Sequence, residues 1–232
     1  MLSMKNVSKV FRIENIETHA LRDFDLEVAE GEFLAVAGPS GSGKTTFLNI
    51  AGLLESFTSG EYWLDGIETS KLHDKEMSTI RNTKIGFIFQ GFNLLPDLNL
   101  FDNVDVPLRY QRLPAAERKE RIHACLDTVG LASRMKHLPA QLSGGQQQRV
   151  VIARALARQP RFLLADEPTG NLDSTMARQV VELLQQINQQ GTTIIMVTHD
   201  PELAGMASRR IELMDGRINK PLEQSTIRVA AN

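Results

Sequence analysis

The stretch Gly38-Pro-Ser-Gly-Ser-Gly-Lys-Thr-Thr46 limits what this chain can fold into more than any other part of it. An apolar run, FLAVA, stops abruptly at Gly38; glycines recur at 41 and 43, and Lys44, Thr45 and Thr46 lead into the helix-like FLNIAGLL. Strand, loop and helix in that order deliver a ligand to a helix N-terminus, where unpaired N–H groups and the helix dipole favour negative charge. The glycines take backbone angles closed to other residues and leave successive N–H groups free to converge on an anion. Both features ask for phosphate. The fixed positions of the phosphate-loop pattern, Gly38, Gly43, Lys44 and Thr45, are all present, so Lys44 is expected to reach the β/γ-phosphates and the Thr45 hydroxyl to sit on Mg²⁺. Pro39, Ser40, Gly41, Ser42 and Thr46 complete the expected nucleoside triphosphate cradle.

Four short runs have the apolar character of strands buried on both faces: Phe33 to Ala37, Ile85 to Phe89, Phe162 to Ala165 and Thr193 to Thr198. Separated by helical patterns, they predict an α/β fold, a P-loop core with a mainly parallel sheet and helices on both sides. Asp65-Gly66 and Asp215-Gly216 are hairpin signals. With Leu2 to Phe11 and Ala20 to Val28, the first hairpin predicts a small antiparallel sheet against the main one. Between Phe92 and Leu142 the pattern turns helical: Leu100 to Tyr110, broken by Pro107, and Ala115 to Val129. One domain over residues 1–232 follows. Its core and antiparallel part lie in 1–91 and 160–220, its inserted helical part in 92–159, and a polar tail in 221–232 whose lack of periodicity predicts poor order.

Composition excludes several functions. With 26 basic and 28 acidic residues the net charge is −2, which offers no field to gather nucleic acid. No apolar run approaches the ~18 residues of a membrane span, and MLSMKNVSKVF lacks the apolar core of a signal peptide. The one cysteine, Cys125, has no partner for an internal disulfide, which suits a reducing compartment and a buried structural thiol.

A second anion element follows the insertion. In Leu142-Ser-Gly-Gly-Gln146, Ser143 is a good N-cap and Gly144 and Gly145 expose N–H groups at the start of QQRVVIARALARQ. Taken alone, the pattern is no more than a helix cap; 98 positions after Lys44 it raises the question whether both elements serve one ligand or two. Asp166 closes the apolar run FLLA and is placed at the carboxyl end of a buried strand, where α/β folds bind ligands and where an acid can hold Mg²⁺. Glu167, next to it, is expected to accept the proton of an attacking water or to orient that water.

The sequence resembles the ATP-binding subunits of ABC transporters over nearly its whole length. The resemblance rests on the phosphate loop, Gln90 after a strand, LSGGQ at 142–146, FLLADE at 162–167, the turn Gly170 to Asp173, and His199 after a strand, in that family's order. It implies that two copies dimerise head to tail, with ATP on the phosphate loop of one closed over by Ser143, Gly144, Gly145 and Gln146 of the other. It further implies that Gln90 touches Mg²⁺ and the attacking water, that His199 contacts the γ-phosphate, and that Asp173 reaches the opposite subunit's site. Phe11 is the candidate to stack on adenine, with a place in the core as the alternative.

The finer likeness is to the branch that serves lipoprotein release and macrolide export: FQGFNLLPDLNLFDNVDVPL, LLADEPTGNLDS and MVTHDPELA all resemble it. Gly91 departs from the larger polar residue of several relatives, and GNLD differs from the SALD of many importers. The implied partner is a separate integral membrane permease contacted near Gly91–Phe101, which places the chain on the cytoplasmic face of the cell membrane. The alternative is a non-transport ATPase of the same superfamily, in DNA repair or translation. The first carries long coiled-coil arms where this chain has none, and the second normally has two ATPase halves. A guanine-reading N-K-x-D is absent.

Overall fold

The computed structural model describes residues 1–219, apart from Asn15 and Arg112. The tail at 221–232 lies outside the described residues. Two sheets organise the chain. The larger has six strands in the order β10-β9-β3-β8-β7-β6: β3 (Phe33–Ala37), β6 (Ile85–Ile88), β7 (Phe162–Asp166), β8 (Thr193–Thr198), β9 (Arg209–Met214) and β10 (Arg217–Asn219). All pairs are parallel except β9 with β10. The smaller is antiparallel, β2-β1-β4-β5, from β1 (Leu2–Ile13), β2 (Ile16–Val28), β4 (Ser59–Leu64) and β5 (Ile67–Glu68).

The parallel strands carry no polar alternation because neither face meets water. Side chains of β3 divide by parity: Phe33, Ala35 and Ala37 enter a core built with the helices of the insertion, whereas Leu34 and Val36 enter one built with the antiparallel sheet. In β8, Ile194 and Met196 join the first core and Ile195 and Val197 the second. A one-residue slip would exchange both sets, so the register is strongly specified. The first core takes in α3 (Leu100–Arg109), α4 (Ala115–Thr128), α5 (Gly144–Leu156) and α6 (Ser174–Gln189); the second takes in α1 (Lys44–Ala51) and Ile80 of α2 (Asp74–Lys84). A one-turn helix, α7 (Pro201–Ala204), follows β8. Among the described residues no helix is long and apolar enough to cross a membrane.

Both Asp-Gly pairs make the hairpins expected of them, with positive φ at Asp65 (53°) and Gly66 (76°) and at Asp215 (49°) and Gly216 (77°). Asp65 is also a clamp. It pairs with Lys84 and, at 2.9 Å, with Arg161, which ties the antiparallel hairpin to the chain entering β7.

Three local expectations are corrected. Pro107 does not break its helix: α3 runs on to Arg109 because Pro107 and Leu108 are buried against the core and only the last turn forgoes a hydrogen bond. The strand IGFIF ends at Ile88, one residue early, so Gln90 stands in the loop beyond it. Cys125 is half-buried on α4 and not enclosed; burial still pushes its thiol up to about 11, so it stays protonated at neutral pH.

Candidate functional site

The phosphate loop bridges β3 and α1, and its shape is enforced by close backbone neighbours. Gly43 caps α1 at φ 103°, and a Cβ there would lie 2.4 Å from the Ala20 carbonyl oxygen. A Cβ on Gly38 would lie 2.2 Å from the Leu213 carbonyl oxygen. No other residue type fits either place. Lys44, 7% exposed, donates through its ammonium to the carbonyls of Gly38 and Pro39 at 2.9 and 2.8 Å, so its charge is held in the concavity of the loop.

Around the loop lies a cleft of about 680 Å³. Ser40, Gly41, Gly43, Lys44, Thr45 and Thr46 form its floor, and Gln90, Glu167 and His199 one wall. Phe11, Thr18, His19 and Ala20 form the other. Phe11 pairs in register with Thr18 at the far end of the β1–β2 ladder and is 37% exposed, so it belongs to the cleft and not to the core. The Lys9 ammonium lies 4.8 Å from the centre of its ring. The β2 residues had no signal in the sequence; only the pairing register brings them opposite Phe11.

Two carboxylates meet at the end of β7. Asp166 is the last strand residue, and the Thr45 hydroxyl donates to its Oδ1 at 3.4 Å. Burial, and then the charge of Glu167, raise its pKa above the ordinary carboxylate range, so the site gains from a cation. Alternation along a strand would send Glu167 to the opposite face. Its left-handed backbone, φ 45°, breaks that alternation, and strain of this kind at a non-glycine residue is a mark of functional sites. Glu167 Oε2 lies 2.8 Å from His199 Nδ1 and accepts the His199 backbone N–H at 3.3 Å; Oε1 lies 4.0 Å from the Lys44 ammonium.

The second anion element is elsewhere. Ser143 caps α5 by accepting the Gln146 N–H, while Gln146 Oε1 accepts the Ser143 N–H at 3.1 Å, a reciprocal box at a helix start. Ser143, Gly145 and Gln146 line a separate hollow with Arg149 and Met176, and none of them borders the cleft around Lys44. Gly144 packs beside Leu172 and Phe92. Asp173 caps α6, accepting the Met176 N–H at 2.9 Å.

Sequence reasoning missed the groups that hold the loop after β6. Asn171 Nδ2 donates to the Gln90 carbonyl at 2.9 Å, and a Cβ on Gly170 would lie 2.8 Å from the Gln90 amide nitrogen, so the turn at 170–173 rests directly on Gln90. Arg154 of α5 donates to the carbonyls of Asn93 and Phe92 at 2.7 and 3.1 Å. Asn103, fully buried, accepts the Leu95 N–H at 2.8 Å and donates to the carbonyls of Leu95, Leu98 and Asn99. Asn171 stood inside the quoted GNLD turn, but nothing in the sequence set Asn103 or Arg154 apart from ordinary helix residues.

Comparison with known proteins places this geometry. The ABC transporter family matches residues 21–170. YvrO of Bacillus subtilis, an uncharacterized ABC transporter ATP-binding protein, is 47% identical over 218 residues, which span 94% of this chain and 95% of the relative. The macrolide export ATP-binding/permease protein MacB of Brucella melitensis is 46% identical over 218 residues, 94% of this chain and 34% of that larger protein. Among solved structures, the ATP-binding cassette MJ0796 of Methanocaldococcus jannaschii, dimeric and in a post-hydrolysis state with ADP and Pi, matches with a TM-score of 0.86 at 44% identity, covering 95% of this chain and 97% of that one. The family match, the near-complete coverage of YvrO and of the archaeal cassette, and the phosphate loop with its flanking carboxylates make this protein a member of the ABC transporter family, an ATP-binding cassette and ATPase.

Proposed function

We propose that this cassette works as an ATP-driven clamp in which two copies meet head to tail and each nucleotide is held by two chains. The observation that carries this reading is the separation of the two anion elements. A phosphate loop and a glycine-opened helix start occur in one chain, yet Ser143, Gly145 and Gln146 face a hollow apart from the cleft around Lys44. In a lone subunit the second element does no more than cap α5. Placed against a second copy, Gly144 and Gly145 offer their N–H groups and Ser143 its hydroxyl to the γ-phosphate on the partner's loop, with Gln146 beside them and Asp173 bordering the same seam. The dimeric state of the archaeal cassette MJ0796 supports this arrangement.

Within each half-site, the amides of Gly38 to Thr46 bind the phosphates, Lys44 neutralises the β- and γ-phosphates, and Phe11 stacks on adenine. The Thr45 hydroxyl and the half-buried Asp166 carboxylate are hard oxygen donors next to one another and fit Mg²⁺, with Gln90 as a third neutral donor. When bound, Mg²⁺ supplies charge neutralisation to the phosphates. Glu167 orients the attacking water and accepts its proton, and His199 steadies both Glu167 and the γ-phosphate end of the cleft. Closure of the dimer excludes water from the seam and completes the constellation.

The clamp acts on a separate membrane permease that contacts Gly91–Phe101, in the manner of the lipoprotein-release and macrolide-export branch, and the chain works on the cytoplasmic face of the cell membrane. Leu95 is 46% exposed in that segment, while Phe92, Leu94 and Phe101 are half-buried beside it. The likeness to MacB, whose name joins ATP-binding and permease parts, supports this pairing. The test is to express tagged Glu167→Gln at native level, add ATP and Mg²⁺, solubilise membranes in mild detergent and identify what co-purifies by mass spectrometry. Recovery of an integral membrane protein supports the reading; recovery of ribosomes or DNA in its place overturns it.

A further inference from the structure

The hairpin of β9 and β10 lies outside the cleft, yet its backbone touches the phosphate loop at both ends. The Leu213 carbonyl closes on the Cα of Gly38, where a Cβ would lie 2.2 Å away. At the tip, the Gly216 N–H donates to the Ser42 carbonyl at 3.0 Å, and the Gly216 carbonyl accepts the Arg22 N–H at 2.9 Å. The Ala20 carbonyl oxygen is wedged between the two glycines, 2.4 Å from where a Cβ of Gly43 would stand and 2.8 Å from where one of Gly216 would stand. Arg217 pairs with Asp23 at 3.0 Å, which pins the base of β10 to β2. Three backbone segments therefore meet with no side chain between them.

A trans peptide points its carbonyl and the following N–H to opposite sides. No cis peptide occurs among the described residues. Whatever anchors the Ser42 carbonyl on the outside of the loop therefore aims the Gly43 N–H inward. We propose that Gly216 is a positioning residue of the ATP site: its N–H fixes the Ser42–Gly43 peptide plane so that the Gly43 N–H is presented to the phosphates before nucleotide arrives. Gly216 itself does not line the cleft. Two features explain why this turn must be Asp-Gly and must be tight. Gly216 is buried at φ 77° against Ala20, and a longer tip would carry its N–H off the Ser42 carbonyl. The inference rests on the assignment of ATP to the loop Gly38–Thr46.

The chain contains its own control. Gly66 occupies the same position of the same turn type at φ 76°, but a Cβ there meets nothing within 4 Å. Gly216→Ala and Gly66→Ala thus impose the same backbone strain, and only the first pushes the turn off Ala20 and Leu21 and so draws its N–H away from the Ser42 carbonyl. Dissociation constants for a fluorescent ATP analogue are measured on wild type and both variants. The expected result is a rise of about tenfold for Gly216→Ala, the equivalent of ~1.4 kcal/mol, with Gly66→Ala within about twofold of wild type. Should Gly216→Ala fail to fold, amide hydrogen exchange on wild type decides the matter, because coupling between turn and nucleotide is reciprocal. Nucleotide must then slow exchange of the Gly216 amide more than that of Gly66. Equal affinities in the two variants, or equal slowing at the two amides, overturns the proposal. A wild type that binds no nucleotide overturns the ATP assignment instead.

Discussion

Glu167→Gln separates the chemistry of the site from its architecture. The side chain is 15% exposed, with one oxygen 2.8 Å from His199 Nδ1 and the other 4.0 Å from the Lys44 ammonium. Glutamine keeps the shape and an acceptor but cannot take a proton from water. A positioned general base contributes roughly 10² to 10⁴ in rate, so kcat should fall by about that factor, a barrier increase of about 3 to 5 kcal/mol. Binding should move the other way. Removing one negative charge about 4 Å from where the phosphates gather relieves repulsion worth between ~1 kcal/mol in bulk water and ~4 kcal/mol at an effective dielectric of 20. The cleft is open to water, so the lower end applies and ATP should bind roughly fivefold more tightly. Phosphate release under steady state and titration with a fluorescent ATP analogue check the two halves. Hydrolysis at the wild-type rate would refute the assignment of the base. Slow hydrolysis with weakened binding would show that the carboxylate holds the loop in place and performs no proton transfer.

Lys44→Ala should raise the ATP dissociation constant at least about tenfold, since a nearly enclosed ammonium and its charge-assisted bonds are lost; unchanged affinity in the same titration would exclude Lys44 from phosphate binding. Asn103→Ala should cost about 1 to 3 kcal/mol in urea denaturation, because it strands the Leu95 N–H and the Leu98 carbonyl, while the Asn99 carbonyl keeps the backbone N–H of residue 103; a change below about 0.5 kcal/mol would mean water replaces it freely. For Asp65, the Lys84 bond first and Arg161 after it hold the carboxyl below the usual carboxylate range. A depressed folded pKa stabilises above the unfolded value near ~4 and loses that contribution as pH falls through the folded value. Wild type should therefore exceed Asp65→Asn in stability by up to about 1 kcal/mol at pH 7, with the gap narrowing toward pH 3; a gap independent of pH contradicts the ion-pair account.

What the sequence exposes and what it hides divide along a physical line. Strands buried on both faces and Asp-Gly turns declare themselves through composition over four to six residues, and β3 and β8 fall on their expected bounds. The loop at Gly38–Thr46 declares itself because Gly43 must adopt φ 103° beside the Ala20 carbonyl. Contacts made by ordinary residue types across long separations leave no such trace. Arg154 reaches across 61 positions to Asn93, and Asn171 across 81 to Gln90. Pro107 misled for the opposite reason: the local rule was legible, and burial of α3 outweighed it. The left-handed turn at Glu167 was invisible because glutamate has no preference for it; the packing of β7 against β8 and the Glu167 N–H bond to Val197 impose it.

The hidden contacts bear most directly on how nucleotide state reaches a partner. The Gln90 carbonyl is held by Asn171, and the carbonyls of Phe92 and Asn93 by Arg154. Asn171 belongs to the turn that ends in Asp173, and Arg154 to the helix that starts at Gly144, the two elements proposed to face the second copy's nucleotide. The loop at 90–93 is thus suspended from the elements proposed to serve the second copy, while Gln90 itself lines the cleft around Lys44. Hydrogen bonds from a charged donor contribute ~1.5 to 3 kcal/mol each, so the Arg154 fork and the Asn171 bond together resist separation with about 4 to 7 kcal/mol. A displacement of α5 that costs less than this must carry the loop with it, because breaking the suspension is the more expensive course. In the proposed dimer, a shift of α5 is therefore expected to carry the loop at 92–93 with it.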